Sequence, residues 1–409
     1  MRTKVKLKGG ISLIVLVITI IVMIILAAAI ILSLSNSGII SKANKAKADT
    51  DISNAKDLVA MAHADWMLDE AKIKENDNTI TSFSNYAEKK LQEAGYKVGT
   101  GEGAYTVTED GEVYTGLTET ARTAIRAGIK VGDVVKGYTV ASTTYETSGE
   151  ENTAPSYIER DPTKQTVTTN TKLTWKYLGV NANGELEIMA DYEVYNDTTK
   201  VYDKVAVAAN TKVKLSGKGG YLKGPDMLNT ICEKLYSKDG VGTARSMNID
   251  DVYNILGYTG PKGKYYDTNG NIVTTAEPLT IGEIENKLGT TLSGRTTPDG
   301  KDITTYNSDC YEISKTSKNI KNTANKDLVY NAKNTYWLAS PYVVAGFHND
   351  CAYFCVCNVY STGTGTRYMF VSGGGSSCVT FAVRPVVKLD PSVKVEKDAT
   401  AANTWNISK

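Results

Sequence analysis

Lysine, glutamate, glutamine and tryptophan are absent from the 50 residues between Trp337 and Lys388, and methionine occurs there once, as Met369. These five types account for 73 of the 409 residues, so a random stretch of that length would hold about nine of them. Strands disfavour Lys and Glu, but that leaves unexplained why loops should lack the residues most often exposed. The genetic code supplies a sharper reason. Random replacement of both adenines in an AAC or AAT codon yields fifteen amino acids and no stop codon. The five types it never yields are Lys, Glu, Gln, Met and Trp, so the stretch has the composition of a randomised patch. The competing explanation is a Gly-rich β segment whose composition drifted by chance.

Other scarcities exclude whole classes of function. Charge of neither sign predominates: 46 basic and 45 acidic residues give +1, with no basic domain to follow a phosphate backbone, so nucleic acid is not expected as a partner. Six scattered cysteines do not make a disulfide-dense scaffold. Four of those six (Cys351, Cys355, Cys357, Cys378), four of the five Phe (Phe347, Phe354, Phe370, Phe381) and His348, one of two histidines, fall inside the unusual stretch. There is no tandem repeat.

What frames the stretch is informative in turn. Tyr336-Trp337-Leu338-Ala339-Ser340-Pro341 opens it and Val383-Arg384-Pro385-Val386-Val387 closes it. This frame resembles that of the variable proteins of diversity-generating retroelements. Upstream, Lys130 to Val135, Leu173 to Val180, Leu228 to Cys232 and Leu235-Tyr236 agree in type, so the similarity spans roughly residues 130 to 391. The resemblance implies a C-type lectin-like fold, related to formylglycine-generating enzymes. It implies that adenine-directed copying errors vary a ligand-binding face. Phe354, Val356 and Val359 are spaced like core positions, Trp337, Leu338, Val383 and Val386 are expected beneath the face, and Met369 belongs to the frame. The fixed place of Arg384 in the resembling motif implies a buried scaffold role.

At the other end, Lys4, Lys6 and Lys8 precede Gly9-Gly10, and no charged residue occurs from Ile11 to Leu34. Twenty or so apolar residues suffice to cross a bilayer as a helix, and the flanking lysines predict that the C-terminal bulk lies outside. Ile52, Ala55, Val59, Ala62 and Trp66 then recur at helical spacing, which predicts one continuous helix from the membrane to about Ala71. The basic leader ending in Gly10, followed by Ile-Ser-Leu-Ile-Val, resembles a type IV prepilin. That implies cleavage between Gly10 and Ile11, membrane contact through residues 11–34 and pilin subunits as partners. The chain departs from the pilin pattern at the fifth mature position, which holds Val15 instead of Glu. A plain membrane anchor that keeps its leader is the alternative.

The expected fold is therefore α+β: a long N-terminal pilin-like transmembrane helix followed by a C-type lectin-like domain. The expected layout is a leader (1–10), the membrane-crossing and amphipathic helix (11–75), a small linking region (76–129), the lectin-like domain (130–391) with its variable region at about 338–387, and a tail (392–409). Helices are predicted over Ser82 to Gly95, Thr120 to Ala127, Asp226 to Tyr236 and Ile249 to Leu256. Hairpins are predicted around Asp110-Gly111 and Asn183-Gly184. Residues 260–331 read as irregular structure.

Catalytic and metal readings are weak. Cys355 and Cys357 are too close in sequence for the usual paired zinc ligands, and random codons yield Cys without a common purpose. His348 with Asp350 has no second carboxylate or base beside it. Formylglycine-generating activity would rest on fold analogy alone. No enzyme activity, metal or cofactor is expected. The binding reading suits the residue types, because aromatics give rigid contact area and small polar residues give adaptable hydrogen bonds. The candidate face comprises Val344, Phe347, His348, Asn349, Asp350, Cys351, Tyr353, Cys355, Cys357, Asn358, Tyr360, Thr362, Thr364, Thr366, Arg367, Tyr368, Phe370, Ser372, Ser376, Cys378, Thr380 and Phe381. Of these, Phe347, His348, Tyr353, Tyr360, Tyr368, Phe370 and Phe381 are the expected energetic anchors. The expected function is a surface-displayed, hypervariable binder of a protein or glycan ligand. A structural minor pilin with a fixed C-terminal domain is the alternative.

Overall fold

The computed structural model describes residues 39–147, 164–191, 193–196, 201–204, 211–260, 262, 265–266, 272–273, 312–330, 335–345, 352–371 and 377–409. The chain divides into two compact units. One holds Met1–Val98 with Val107–Val113, and the other holds Gly99–Thr106 with Tyr114–Lys409.

The first unit is built on the helix Ile39–Asn76, which breaks at Asp69 (φ −153, ψ 55). Ala55, Val59, Ala62 and Trp66 form its buried stripe, because residues three and four apart share a helix face. That stripe meets Phe83, Tyr86, Ala87 and Leu91 of the helix Phe83–Glu93, with the Trp66 ring 6.2 Å from Phe83 and 5.8 Å from Tyr86. Ser82 starts the second helix by accepting from the Asn85 amide. The Glu109 carboxylate accepts two further amides of its first turn, those of Phe83 and Ser84.

The expectation of a transmembrane helix is corrected here. Among the described residues no helix is long and apolar enough to cross a membrane. Ile39–Asn76 carries Lys47, Asp49, Asp51, Lys56 and Asp57 along its length, so its outward positions are charged. The apolar run 11–34 and the Gly10–Ile11 junction lie outside the described residues.

The second unit is α+β. Its larger sheet has seven strands in the spatial order Gly242–Ser246, Pro385–Leu389, Leu186–Asp191, Thr174–Val180, Val134–Lys136, Thr404–Ser408 and Lys394–Lys397. Residues 392–409, read above as a tail, thus supply two of these strands, and Thr404–Asn406 pairs parallel with Val134–Lys136. The hairpin between Thr174–Val180 and Leu186–Asp191 turns at Gly184 (φ 71), where an added Cβ would strike the Gly116 carbonyl oxygen at 2.1 Å. The Asn181 side chain closes that turn by accepting from the Asn183 and Glu185 amides.

The second sheet has five strands in the order Lys212–Ser216, Cys378–Ala382, Tyr336–Ala345, Ala352–Tyr360 and Gly363–Val371. Two core clusters cover its two faces. Trp337, Phe354, Val356 and Met369 belong to one, with Leu228, Ile231 and Leu235 of the helix Gly224–Tyr236. Tyr336, Leu338, Cys355, Cys357 and Val359 belong to the other, with Val252, Ile255 and Leu256 of the helix Ile249–Leu256.

Candidate functional site

Alternation along a strand sends neighbouring side chains to opposite faces, and both faces of the five-stranded sheet are packed. This decides which candidate residues can meet a ligand. Phe354, Cys355, Val356, Cys357, Asn358 and Val359 are buried in succession along one strand. Cys355, Cys357 and Asn358 therefore do not belong to an exposed face, which corrects the expectation for all three. The expectation assumed a half-exposed strand. A strand covered on both sides reads instead as a near-continuous buried run.

Thr364 is also buried, and its role is local. Its hydroxyl accepts from the Ile313 amide at 2.7 Å while its own amide donates to the Ile313 carbonyl at 3.0 Å. With Lys315 N donating to the Thr362 carbonyl, this lays Ile313–Lys315 along the start of the Gly363–Val371 strand. Nothing in the sequence pattern pointed to that pairing.

Side chains that do reach the surface gather at two places. At the outer hairpin formed by Ala352–Tyr360 and Gly363–Val371, Tyr360, Thr362, Arg367 and Tyr368 are exposed and Thr366 is half-buried. At the opposite end of the sheet, Cys378 and Thr380 are exposed beside Lys214, which pairs with Thr380 across the ladder. Phe381 is half-buried, its ring 4.5 Å from Trp337, so it is as much a packing residue as a contact residue.

Val344, Tyr353 and Phe370 lie in strands, with Val344 opposite Tyr353 and Phe370 opposite Phe354. Phe347, His348, Asn349, Asp350, Cys351, Ser372 and Ser376 lie outside the described residues.

One glycine shapes the exposed edge. A Cβ on Gly365 would sit 2.7 Å from Cε1 of the Tyr360 ring, so the ring lies directly over the glycine. A second shaping feature is the register step between Phe354 and Cys355. It leaves Met369 without a partner in the ladder, and the buried Met369 sulfur would be 3.2 Å from a Cβ on Gly220.

Arg384 is the buried cation at the base of the sheet. Its Nε donates to the Ala190 carbonyl at 2.9 Å, and Nη1 donates to the Leu328 carbonyl and to the Tyr336 hydroxyl. The guanidinium also lies 5.3 Å from the Tyr336 ring centre. Burial raises the Tyr336 phenol above its ordinary range, with Arg384 pulling the other way. Arg384 thus joins the larger sheet, the Lys326–Val329 turn and the first residue of the Tyr336–Ala345 strand.

Cys232, Cys355 and Cys357 are buried and Cys378 is exposed. Among the described residues no group of three His, Cys, Asp or Glu is placed to hold a metal ion. No family model, curated protein or solved structure matches the chain.

Proposed function

We propose that the C-terminal domain is a hypervariable ligand-binding domain of the kind diversified by a retroelement, on a C-type lectin-like fold, and that it is a binder rather than an enzyme. The observation that carries this reading is a division within one compositionally abnormal stretch. Positions assigned to the frame, namely Trp337, Leu338, Phe354, Val356, Val359, Met369, Val383 and Arg384, are all buried. Tyr360, Thr362, Arg367, Tyr368, Cys378 and Thr380 project outward from the same strands and turn. A scaffold that tolerates random residues needs this separation, because core substitutions cost several kcal/mol and exposed ones little. On this reading the ligand is a protein or glycan met outside the cell.

The gene tests it. The codons for Tyr360, Tyr368 and Cys378 should end in C or T, and a nearby near-copy of the coding stretch should read AAC or AAT at those positions. Phe354 and Val356 should align with template codons of their own type. Alignment of the three exposed positions with non-adenine template bases sinks the proposal.

A further inference from the structure

Hydrogen-bond register fixes how the exposed edge is arranged. Tyr360 faces Gly363, Asn358 faces Gly365, Val356 faces Arg367 and Cys355 faces Tyr368. Directly opposed residues share a face, as do residues two apart on one strand. Arg367 therefore lies on the face of Tyr360 and Gly365, about 7 Å along from the glycine that the Tyr360 ring covers. Tyr368 follows on the opposite face. Among the described residues Gly363–Val371 is the outermost strand at this end of the sheet; Arg367 and Tyr368 lie on it, and Tyr360 ends the strand paired with it.

The composition of this edge is unusual for the molecule. Tyr360 and Tyr368 are 38% and 41% exposed, and they are the large hydrophobic side chains that stay exposed among the described residues of this unit. Three charged residues fall between Trp337 and Lys388: Asp350, Arg367 and Arg384. Arg384 is buried and Asp350 lies outside the described residues. Arg367 is the exposed charge, and no carboxylate among the described residues forms an ion pair with it.

Building on the ligand-binding reading above, we propose that Tyr360, Arg367 and Tyr368 form a contact edge for an acidic segment of another protein. The guanidinium fork matches a carboxylate through two parallel hydrogen bonds. Tyr and Arg are the side chains that most often carry the energy of protein interfaces. Tyr360 on the face of Arg367 and Tyr368 on the reverse face of the same hairpin supply apolar area on either side of a cation that has no carboxylate partner among the described residues. Salt sensitivity is the corollary, since exposed charges are screened within about 8–10 Å at moderate ionic strength.

Fluorescence anisotropy of labelled poly-L-glutamate with the full chain tests this, with poly-L-lysine and hyaluronate as comparison probes. The expected result is polyglutamate binding that weakens between low and high salt. Arg367→Glu should weaken it about tenfold or more, and Tyr360→Ala or Tyr368→Ala severalfold. Lys397→Glu, at an exposed lysine on another sheet, should change it less than about twofold. Thermal unfolding of each variant checks that the fold is kept. If Arg367→Glu lowers the midpoint, Arg367→Gln carries the same comparison without charge reversal. Absence of polyglutamate binding, tighter binding of hyaluronate, or indifference to both Arg367 variants overturns the proposal. The codon comparison is independent, so either idea can fail while the other stands.

Discussion

Trp337 donates its indole N–H to the main-chain carbonyl of Val213 at 2.9 Å, tying residues 124 apart in sequence. The bond lashes the strand that opens the abnormal stretch to the Lys212–Ser216 edge strand of the same sheet. With Phe354 buried against the Tyr221 ring, 5.2 Å between centres, it anchors the sheet from two directions.

Truncating either anchor should therefore be costly. Trp337→Ala and Phe354→Ala are each expected to lose about 3–5 kcal/mol, the range for emptying a large core site. Arg367→Gln and Thr380→Ala should stay within about 0.5 kcal/mol, as exposed positions do. Denaturant unfolding of the four variants measures this. Comparable losses at exposed and buried positions would remove the distinction between frame and face.

Arg384 should tolerate no substitute. Removing it takes a donor from both the Ala190 and Leu328 carbonyls, and a buried acceptor left unpaired costs about 1–3 kcal/mol. Arg384→Lys offers a single ammonium in place of a planar fork and cannot meet separated acceptors together. Both Arg384→Ala and Arg384→Lys should lower the thermal midpoint markedly, and a lysine variant of native stability would show that the fork geometry is not what matters.

The thiols should separate by burial. Cys378 should react with a maleimide in the native protein, while Cys232, Cys355 and Cys357 should react only on unfolding. Cys357→Ser puts a hydroxyl where no water reaches and should cost about 1–3 kcal/mol, whereas Cys378→Ser should be nearly silent. Peptide mapping by mass spectrometry after labelling gives the answer, and native-state labelling of Cys357 would contradict its placement.

Much of this was legible in the sequence wherever local chemistry dominates. The helix Ile249–Leu256 follows from the Asn248 and Asp251 capping box and its Gly257 stop (φ 53). The hairpin at Gly184 follows from its Asn-Gly turn. The two-sided burial of Cys355 and Cys357 was not legible. Those cysteines alternate with Phe354, Val356 and Asn358, a pattern that also suits a half-exposed strand, and only the helix packed on the second face decides between them. The tail at 392–409 was misjudged for a related reason. Its strand Thr404–Ser408 pairs with Val134–Lys136, more than 250 residues away in sequence, and no local signal reports such a partner.

The N-terminal sequence makes its own prediction. Lys4, Lys6 and Lys8 before Gly9-Gly10 suggest processing between Gly10 and Ile11. Mass spectrometry of the N-terminal peptide from the native host should find Ile11 first, and an intact Met1 would argue for an uncut leader.

Stability should also depend on pH through Arg245. Its guanidinium bonds Glu187 at 2.9 and 3.3 Å and Asp251 at 2.7 Å twice, and Asp251 further accepts from the Asn248 amide. Burial pushes Glu187 above its usual 4.5, while Arg245 pulls it back. A raised native pKa means that the folded state holds the proton more tightly than the unfolded chain. That contribution is therefore complete below about pH 4.5 and is lost as pH rises through the native value. In Arg245→Met the restraining cation is gone, while burial, Asp251 and Glu185 still push Glu187 upward. The variant should accordingly lose about 2–3 kcal/mol at neutral pH, below the range for fully buried pairs because Arg245 is partly exposed. It should recover part of that loss in acid. Urea midpoints at pH 4.5 and 7.5 for both proteins provide the measurement. The gap between them is expected to widen as pH rises, and a gap that narrows would mean that Glu187 is not held ionised by Arg245.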